Sequence, residues 1–367
     1  MNQVHMLLAQ GGALSIKPLP RIAGLVEDRL RRVLAGLAPA RFPTARAARG
    51  GQVSLSPAVP EALLKAEVEA LPAKQRLVES GRYLIVYARA AQIPWCLQEI
   101  GRLRELTFRA AGEGTGRSSD VDLFDAYYLH LFLWDRQAST IVGAYRMGLA
   151  DEILARYGKR GLYTQSLFKY GPRLLHNLNP AIELGRSFVR VEYQRGFSPL
   201  LLLWRGIGQF ILRSPHYAVL FGPVSISNSY APISRELMVD YLRANNSEAR
   251  LAKHVKPRRP FRVDRSKIRK QVETADLKDI EHLSRVIARI EHDSKGVPIL
   301  LKQYLKLGGR LLGFNADDQF SDALDGLVVV DLRASERRVL ARYMGDDGAA
   351  VFFAFHGAQP DVLRQAS

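Results

Sequence analysis

The spacing of apolar residues along the chain changes repeatedly between the period of a helix and the period of a strand. Apolar residues three and four positions apart predict helices, and alternating or short apolar runs between turn residues predict strands. The predicted helices cover residues 20–37, 61–80 with an interruption at Pro72, 93–110, 199–212, 230–243, 276–291 and 298–307. The predicted strands cover residues 82–89, 128–134, 139–147, 182–191, 218–225, 310–314 and 327–332, and a final pair of elements is expected at 338–344 and 349–355. Strands interleaved with helices predict an α/β or α+β fold.

The same pattern suggests three regions along the chain. Residues 1–80 read as a helical N-terminal extension with a linker rich in Ala, Pro, Gly and Arg at 38–60. The dense alternation of strands and helices at 81–335 predicts the main domain, and 336–367 is interpreted as a C-terminal tail.

The chain is strongly basic, and this charge bears on its partners. Its 367 residues carry 53 Lys+Arg against 36 Asp+Glu, a formal net charge of +17, and residues 253–270 contribute nine basic residues and one acid. Such a balance favours an acidic protein or an anionic membrane surface as partner. Basic residues without interleaved aromatic residues argue against RNA, and no nucleic-acid partner is expected.

The low cysteine content and the lack of a long apolar run limit the kinds of protein that this sequence can encode. The single cysteine, Cys96, excludes an intrachain disulfide and a cysteine-rich zinc site, and no metal is expected. No apolar run reaches the roughly 18 residues of a membrane span. We therefore expect a cytoplasmic protein, with peripheral contact at the inner face of the membrane as a further option.

The most informative segment is a strand with one acid, followed by a glycine turn and an apolar helix. The strand carries Glu183 and Arg186, the turn contains Arg195 and Gly196, and the helix runs over 199–212. Backbone N–H groups at the start of a helix bind anionic groups, and a carboxylate beside them can act as a base. This combination suggests acyl transfer from a phosphopantetheine thioester to an amine.

Five ordered motifs accompany this segment between residues 93 and 332. They are Arg104 with Phe108; Asp122 with Asp125; Gly143-Ala144-Tyr145-Arg146; Glu183 with Arg186; and residues 301–309 followed by Asp318, Phe320 and Asp325. In this order they resemble the Gcn5-related N-acyltransferase (GNAT) superfamily. The resemblance is greater to its branch of acyl-homoserine-lactone synthases and ornithine-lipid N-acyltransferases, often labelled hemolysin-like. It covers about two-thirds of the chain and implies a central, mixed, twisted sheet flanked by helices.

The resemblance also implies roles for these residues. Glu183 becomes the candidate general base, and Arg186 either orients it or binds the acceptor carboxylate. The substrate-binding candidates are Arg104, Phe108, Asp122, Asp125 and Arg146. An acidic pair suits a cationic acceptor such as ornithine, although the same aspartates could neutralise internal arginines.

The donor-binding candidates are Arg195, Gly196, Ser198 and Trp204. The pyrophosphate loop typical of the superfamily is degenerate at 194–199, and Ser198 followed by Pro199 looks like a helix cap. A serine cap uses a backbone donor that CoA phosphates need, which favours an acyl-carrier-protein thioester over acyl-CoA. No tightly bound cofactor is expected. Trp204 lies in an apolar run that is either a buried helix or the lining of an acyl channel.

Together these features predict transfer of a long-chain acyl group from acyl-carrier protein to the α-amine of an amino acid such as ornithine. A 3-hydroxyl on that acyl group is implied by the resemblance alone. Two alternatives stay open. His130 and Asp135 spell the H-x-x-x-x-D pattern of glycerolipid O-acyltransferases, and the charge would also suit a basic membrane-associated protein without catalysis.

Overall fold

The computed structural model describes residues 53–194, 198–264, 266, 268, 277–318 and 320–357. The strands are β1 Arg76–Ser80, β2 Tyr83–Arg89, β3 Leu129–Asp135, β4 Thr140–Leu149, β5 Phe168–Tyr170, β6 Ala181–Val189, β7 Val219–Ile226, β8 Val255–Pro257, β9 Arg310–Asp317 and β10 Ala323–Asp331. The helices are α1 Glu61–Ala70, α2 Pro94–Ala110, α3 Ala150–Tyr157, α4 Pro172–Leu178, α5 Ser198–Arg213, α6 Pro232–Asn245, α7 Ala249–Ala252, α8 Ile280–Ile290, α9 Ile299–Lys306, α10 Arg337–Met344 and α11 Asp346–His356.

Eight of these strands form one mixed sheet in the order β1-β2-β3-β4-β6-β7-β10-β9, and β5 pairs with β8 in a small second sheet. Every neighbouring pair in the large sheet is antiparallel except β6 and β7, which are parallel. The connection between β6 and β7 is helix α5, as parallel neighbours require a crossover.

The parallel pair β6–β7 is short, and this opens the centre of the sheet. Its register ends after Glu183 opposite Phe221, although both strands continue. At the same place β6 bulges against β4: Arg186 has φ of 50°, in the left-handed region. Hydrogen-bonded pairing of β6 with β7 therefore stops at Glu183, and the gap between the strands begins beyond Leu184, whose backbone still lies close to Gly222.

Helix α5 packs on one face of the sheet, which we call the α5 face. Ile182 and Leu184 of β6 share a core there with Trp204 and Ile207 of α5. Side chains alternate along a strand, so Glu183 points to the opposite face.

That opposite face is covered by α2, and we call it the α2 face. Ile100 and Leu103 of α2 pack against Ala144 of β4. Gly148, four residues further along β4, pairs directly with Glu183, so the glutamate lies on the α2 face.

Most of the predicted elements are present, and the exceptions have local causes. The helix predicted over 61–80 ends at Ala70, because Pro72 cannot continue it, and residues 76–80 form edge strand β1 instead. Helices α3, α4 and α7 and strands β5 and β8 were not predicted, and the final pair of elements proves helical. The predicted helix at 20–37 and most of the linker lie outside the described residues. Within the described part of the chain, no helix has the length and apolarity needed to span a bilayer.

Candidate active site

A buried cluster of arginines and aspartates lies between α2 and the sheet. Arg104 of α2 donates from both terminal nitrogens to Asp125, at 2.8 and 2.7 Å, and its Nε lies 3.3 Å from Asp120. All three side chains are almost fully buried. Burial alone would raise the pKa of Asp125, but Arg104 and then Arg146 hold this pKa well below its usual range. The Arg104–Asp125 pair is thus a charged structural pair.

Arg146 of β4 joins the cluster from the sheet. Its Nη1 donates to Asp122 at 2.6 Å and lies 3.5 Å from Asp125. The guanidinium also lies over the rings of Tyr128 and Tyr163, at 5.3 and 4.9 Å from their centroids. Cation–π contacts of this kind stabilise a desolvated guanidinium.

Arg186, at the bulge of β6, bridges the same aspartates. Its Nε lies 3.0 Å from Asp120, its Nη2 lies 3.5 Å from Asp122, and its Nη1 donates to the Tyr163 hydroxyl at 2.8 Å. The expected orienting contact with Glu183 is not direct: Arg186 reaches Tyr163, whose backbone N–H in turn bonds to Glu183.

Glu183 is buried and receives three hydrogen bonds. The backbone N–H groups of Thr164 and Tyr163 donate to it at 2.6 and 3.1 Å, and the Tyr128 hydroxyl donates to the same oxygen as Tyr163. Burial raises the pKa of Glu183 above its ordinary value, and these donors partly oppose the rise. A carboxylate has about four lone-pair positions, so one stays available for a proton.

A second acidic group lies on the same face near the start of β10. Asp325 accepts a hydrogen bond from Ser225 at 2.8 Å, and burial together with nearby Asp317 raises the pKa of Asp325 well above its usual range. Burial also raises the pKa of Glu113, to about 7. The positions of Asp317 and Glu113 were missed in the sequence, because neither belongs to a motif.

Phe108 closes the side of this region. Its ring meets that of Phe320 edge-on at 5.8 Å, and Phe320 lies 4.3 Å from the guanidinium of Arg186. A Cβ added at Gly185, the residue before Arg186, would have no neighbour within 4 Å, so the β6 backbone borders open space here.

Only some of the predicted donor-binding residues lie in the part of the chain that the structure describes. Arg195 and Gly196 lie outside the described residues, and α5 begins at Ser198, one residue before the start at Pro199 that the predicted serine cap implied. Trp204 is buried on the α5 face, with its ring 6.2 Å from Tyr145 and 5.3 Å from Tyr304. It is therefore part of the core beside the β6–β7 gap.

Comparison with known proteins agrees with this geometry. A model of the GNAT acetyltransferase domain matches residues 103–205, from α2 to α5. A glycine N(alpha)-acyltransferase of Phocaeicola vulgatus is 30% identical over 277 residues, covering 70% of this chain and 82% of the relative. One from Bacteroides thetaiotaomicron is 31% identical over 277 residues, covering 70% and 79%. The chain belongs to the GNAT family of N-acyltransferases. The predicted superfamily, mixed α/β fold and acyltransferase class are therefore confirmed.

Among solved structures, the acyl-homoserine-lactone synthase LasI is similar to this GNAT protein. The two chains are 18% identical with a TM-score of 0.30, and the match covers 40% of this chain and 74% of LasI.

The geometry of this GNAT enzyme separates the histidine and aspartate of the O-acyltransferase alternative. His130 bonds through Nε2 to the backbone carbonyl of Asp125 at 2.8 Å, and burial lowers the pKa of the imidazole. Asp135 lies five residues along β3, roughly 17 Å away and on the opposite face. It pairs with Arg82 and accepts from Tyr193 at 3.1 Å. The two side chains cannot act as a dyad.

The described part of the enzyme also holds no group of three or more His, Cys, Asp or Glu side chains arranged to bind a metal.

Proposed function

We propose that this GNAT enzyme transfers a long-chain acyl group from an acyl-carrier-protein thioester to the α-amine of a small amino acid, giving an N-acyl amino acid lipid. The proposal rests on Glu183, which is buried, accepts three hydrogen bonds and lies where β6 and β7 separate. The similarity of the chain to glycine N(alpha)-acyltransferases supports it.

Glycine is our preferred acceptor, and ornithine is the alternative. The sequence favoured ornithine because Asp122 and Asp125 suit a cationic side chain. In the structure, however, both aspartates bond to Arg104, Arg146 or Arg186. Since internal arginines neutralise them, they give no reason to require a second positive charge on the acceptor.

The acceptor amine would approach on the α2 face, beside the open space at Gly185. The acceptor ammonium would lie near Ser225 and Asp325, and its positive charge would favour the ionised form of this buried carboxyl, whose pKa is otherwise raised. Arg186, already in contact with Tyr163 at the bulge, would face the acceptor carboxylate, since a guanidinium pairs well with a carboxylate.

The reaction then follows from the groups present. The acceptor ammonium gives one proton to Glu183, directly or through water, and the neutral amine attacks the thioester carbonyl carbon. As the carbon–sulfur bond breaks, a second nitrogen proton passes to the thiolate, so an amide and a thiol leave the site. Backbone N–H groups of the β6 bulge at Arg186 would stabilise the oxyanion of the tetrahedral intermediate.

Carrier protein is proposed as donor in preference to CoA. The net charge of +17 favours an acidic partner, and a carrier-protein donor needs fewer backbone contacts to phosphate than CoA does. Arg195, Gly196 and the start of α5 at Ser198 would receive the phosphopantetheine phosphate. The same positive charge would favour peripheral contact with anionic lipid, where the amphiphilic product would partition.

The test is an assay of the full chain with two donors and two acceptors. Long-chain acyl-carrier protein or acyl-CoA is incubated with glycine or ornithine, and products are identified by mass spectrometry, with Glu183→Gln as control. N-acylglycine formed from acyl-carrier protein by the wild type, and lost in the variant, is the expected result. Formation of N-acylornithine alone would overturn the choice of glycine as acceptor. Product formed from acyl-CoA alone would overturn the choice of carrier protein as donor, and an ester product would overturn the proposed reaction class.

A further inference from the structure

The turn between β9 and β10 places an aromatic ring against the candidate active site. This turn, which we call the β9–β10 turn, lies between Asp317, where β9 ends, and Ala323, where β10 begins. Phe320 in the turn is 8% exposed, and its ring lies 4.3 Å from the guanidinium of Arg186. The ring therefore covers the arginine that would face the acceptor carboxylate in the proposed function.

The backbone of the β9–β10 turn fixes this ring. Ser321 and Asp322, which follow Phe320, have φ angles of 53° and 55°, in the left-handed region that residues with a side chain rarely adopt. The Ser321 hydroxyl donates to the backbone carbonyl of Gly114 at 3.3 Å. Arg235 donates to the backbone carbonyl of Asp322 at 2.9 Å. Strained backbone that neighbouring elements hold in place is typical of functional sites.

A second aromatic residue supports the ring. Phe108 of α2 meets Phe320 edge-on, with the two ring centroids 5.8 Å apart. Edge-on pairs of this kind attract each other beyond the apolar area that they bury. A substrate group that needs the space of the Phe320 ring would therefore have to break its contacts with both Arg186 and Phe108.

The acceptor would lie beside Phe320. In the proposed function its carboxylate faces Arg186 and its ammonium group lies near Asp325. These two side chains are close together, because burial raises the pKa of Asp325 and the charge of Arg186 is near enough to oppose the rise. Phe320 contacts Arg186, and Asp325 lies on the strand that leaves the β9–β10 turn. An α-amino acid held between Arg186 and Asp325 thus places its Cα next to the Phe320 ring.

We propose that Phe320 excludes amino acids with a side chain and so makes glycine the preferred acceptor. The exclusion is steric, since an added methyl group has to displace a packed ring. To reject the natural L-amino acids, the ring has to stand on the side of Cα where these carry their Cβ. This inference rests on the proposed function and adds a specificity-determining residue to it.

The experiment compares glycine, L-alanine and D-alanine as acceptors, with one long-chain acyl-carrier protein as donor, in the full-length wild type and in Phe320→Ala. The measured quantity is the ratio of kcat/KM for glycine to kcat/KM for L-alanine. We expect the wild type to prefer glycine and Phe320→Ala to reduce this ratio at least about tenfold, as for one accommodated methyl group. Phe320→Leu, which removes less of the ring's volume, should give an intermediate ratio. A ratio is insensitive to a general structural defect, which would slow both acceptors equally.

Two controls separate the ring from a general loosening of the site. D-alanine carries its methyl group on the other side of Cα, so its rate relative to glycine should not change in Phe320→Ala. The matched variant is Phe124→Ala, because the ring of Phe124 also lies over an arginine of the buried charged cluster, 5.5 Å from the guanidinium of Arg146. Phe124 lies outside the β9–β10 turn, so its loss should leave the ratio of glycine to L-alanine unchanged.

Equal kcat/KM for glycine and L-alanine in the wild type, or a ratio that Phe320→Ala leaves intact, overturns the specificity proposal while acyl transfer stands. An equal gain for D-alanine, or the same change of ratio in Phe124→Ala, overturns it as well. If no amino acid yields an amide, the proposed function itself fails. Calorimetric binding of glycine and L-alanine then decides the specificity proposal: equal affinity of the wild type for both, or no binding of either, overturns it, whereas a preference for glycine that Phe320→Ala abolishes supports it.

Discussion

The backbone N–H of Thr164 lies 2.6 Å from a carboxylate oxygen of Glu183. This contact joins strand β6 to the short helical turn Tyr163–Ser166, in which Thr164 precedes Glu183 by 19 positions. Tyr163 of that turn also accepts a hydrogen bond from Arg186. Glu183 therefore helps to hold Tyr163 in place, in addition to its proposed role in proton transfer, and the two roles have to be separated by experiment.

Glu183→Gln should reduce kcat/KM by about 10²–10⁴-fold at neutral pH, as expected for a lost general base. The defect should shrink as the pH rises past the pKa of the acceptor amine, because the substrate then arrives deprotonated. Steady-state kinetics against pH measures this recovery.

The matched control is Glu105→Gln. Glu105 is also buried and also holds a loop, through the backbone N–H groups of Thr115 and Gly116 at 3.1 and 2.9 Å. Any defect in this variant should be independent of the amine's ionisation. If the loss of kcat/KM in Glu183→Gln is also independent of pH, the assignment of Glu183 as the base is wrong and the residue is structural.

The sequence was most informative where a pattern is local. Strands β3 and β4 were predicted because each contains an uninterrupted apolar run, and α2 because its apolar residues follow a helical period. Helices α3 and α4 are eight and seven residues long, too short for a period to stand out.

The members of the buried charged cluster could be found in the sequence, but their pairing could not. The motifs singled out Arg104 and Asp125, yet these residues are 21 positions apart, and only the fold decides which arginine meets which aspartate. Tyr128 and Tyr163 could not be assigned, because their contacts with Glu183 span 55 and 20 positions and no local pattern records them.

Arg104→Ala should destabilise the enzyme by about 3–5 kcal/mol, because Asp125 would stay buried without its main partner and Asp120 would lose one of its two arginines. Urea unfolding measures the loss. Arg338→Ala is the control: its pair with Glu336 is exposed, so the change should cost less than about 1 kcal/mol. Equal effects of the two substitutions would show that the buried cluster contributes nothing particular to stability.

Gly222→Ala should force β6 and β7 apart. A Cβ at Gly222 would lie 2.0 Å from the backbone carbonyl oxygen of Leu184, so one of the strands has to move, at a cost of about 1–3 kcal/mol.

Gly185→Ala is the matched control on the facing strand, where the added methyl group meets open space. We expect thermal unfolding to show a loss for Gly222→Ala only, whereas kinetics should show a raised KM for Gly185→Ala, because its methyl group enters the proposed acceptor space. An unchanged melting temperature in Gly222→Ala would contradict the close approach of the strands.

Glu113 should make stability depend on pH near neutrality. Burial raises the pKa of this carboxyl from an unfolded value near 4.5 to about 7. A raised folded-state pKa means that the native protein binds the proton more tightly than the unfolded chain does. The resulting stabilisation is complete below about pH 4.5 and is lost as the pH rises through about 7.

Glu113→Gln removes this contribution, so the variant and the wild type should differ in the pH profile of their unfolding free energy. Between about pH 5 and about pH 8 the wild type should lose roughly 1–2 kcal/mol relative to the variant, less than a fully buried carboxyl would, because Glu113 is partly exposed. Urea unfolding at several pH values gives both curves. Parallel curves would show that burial does not raise the pKa of Glu113.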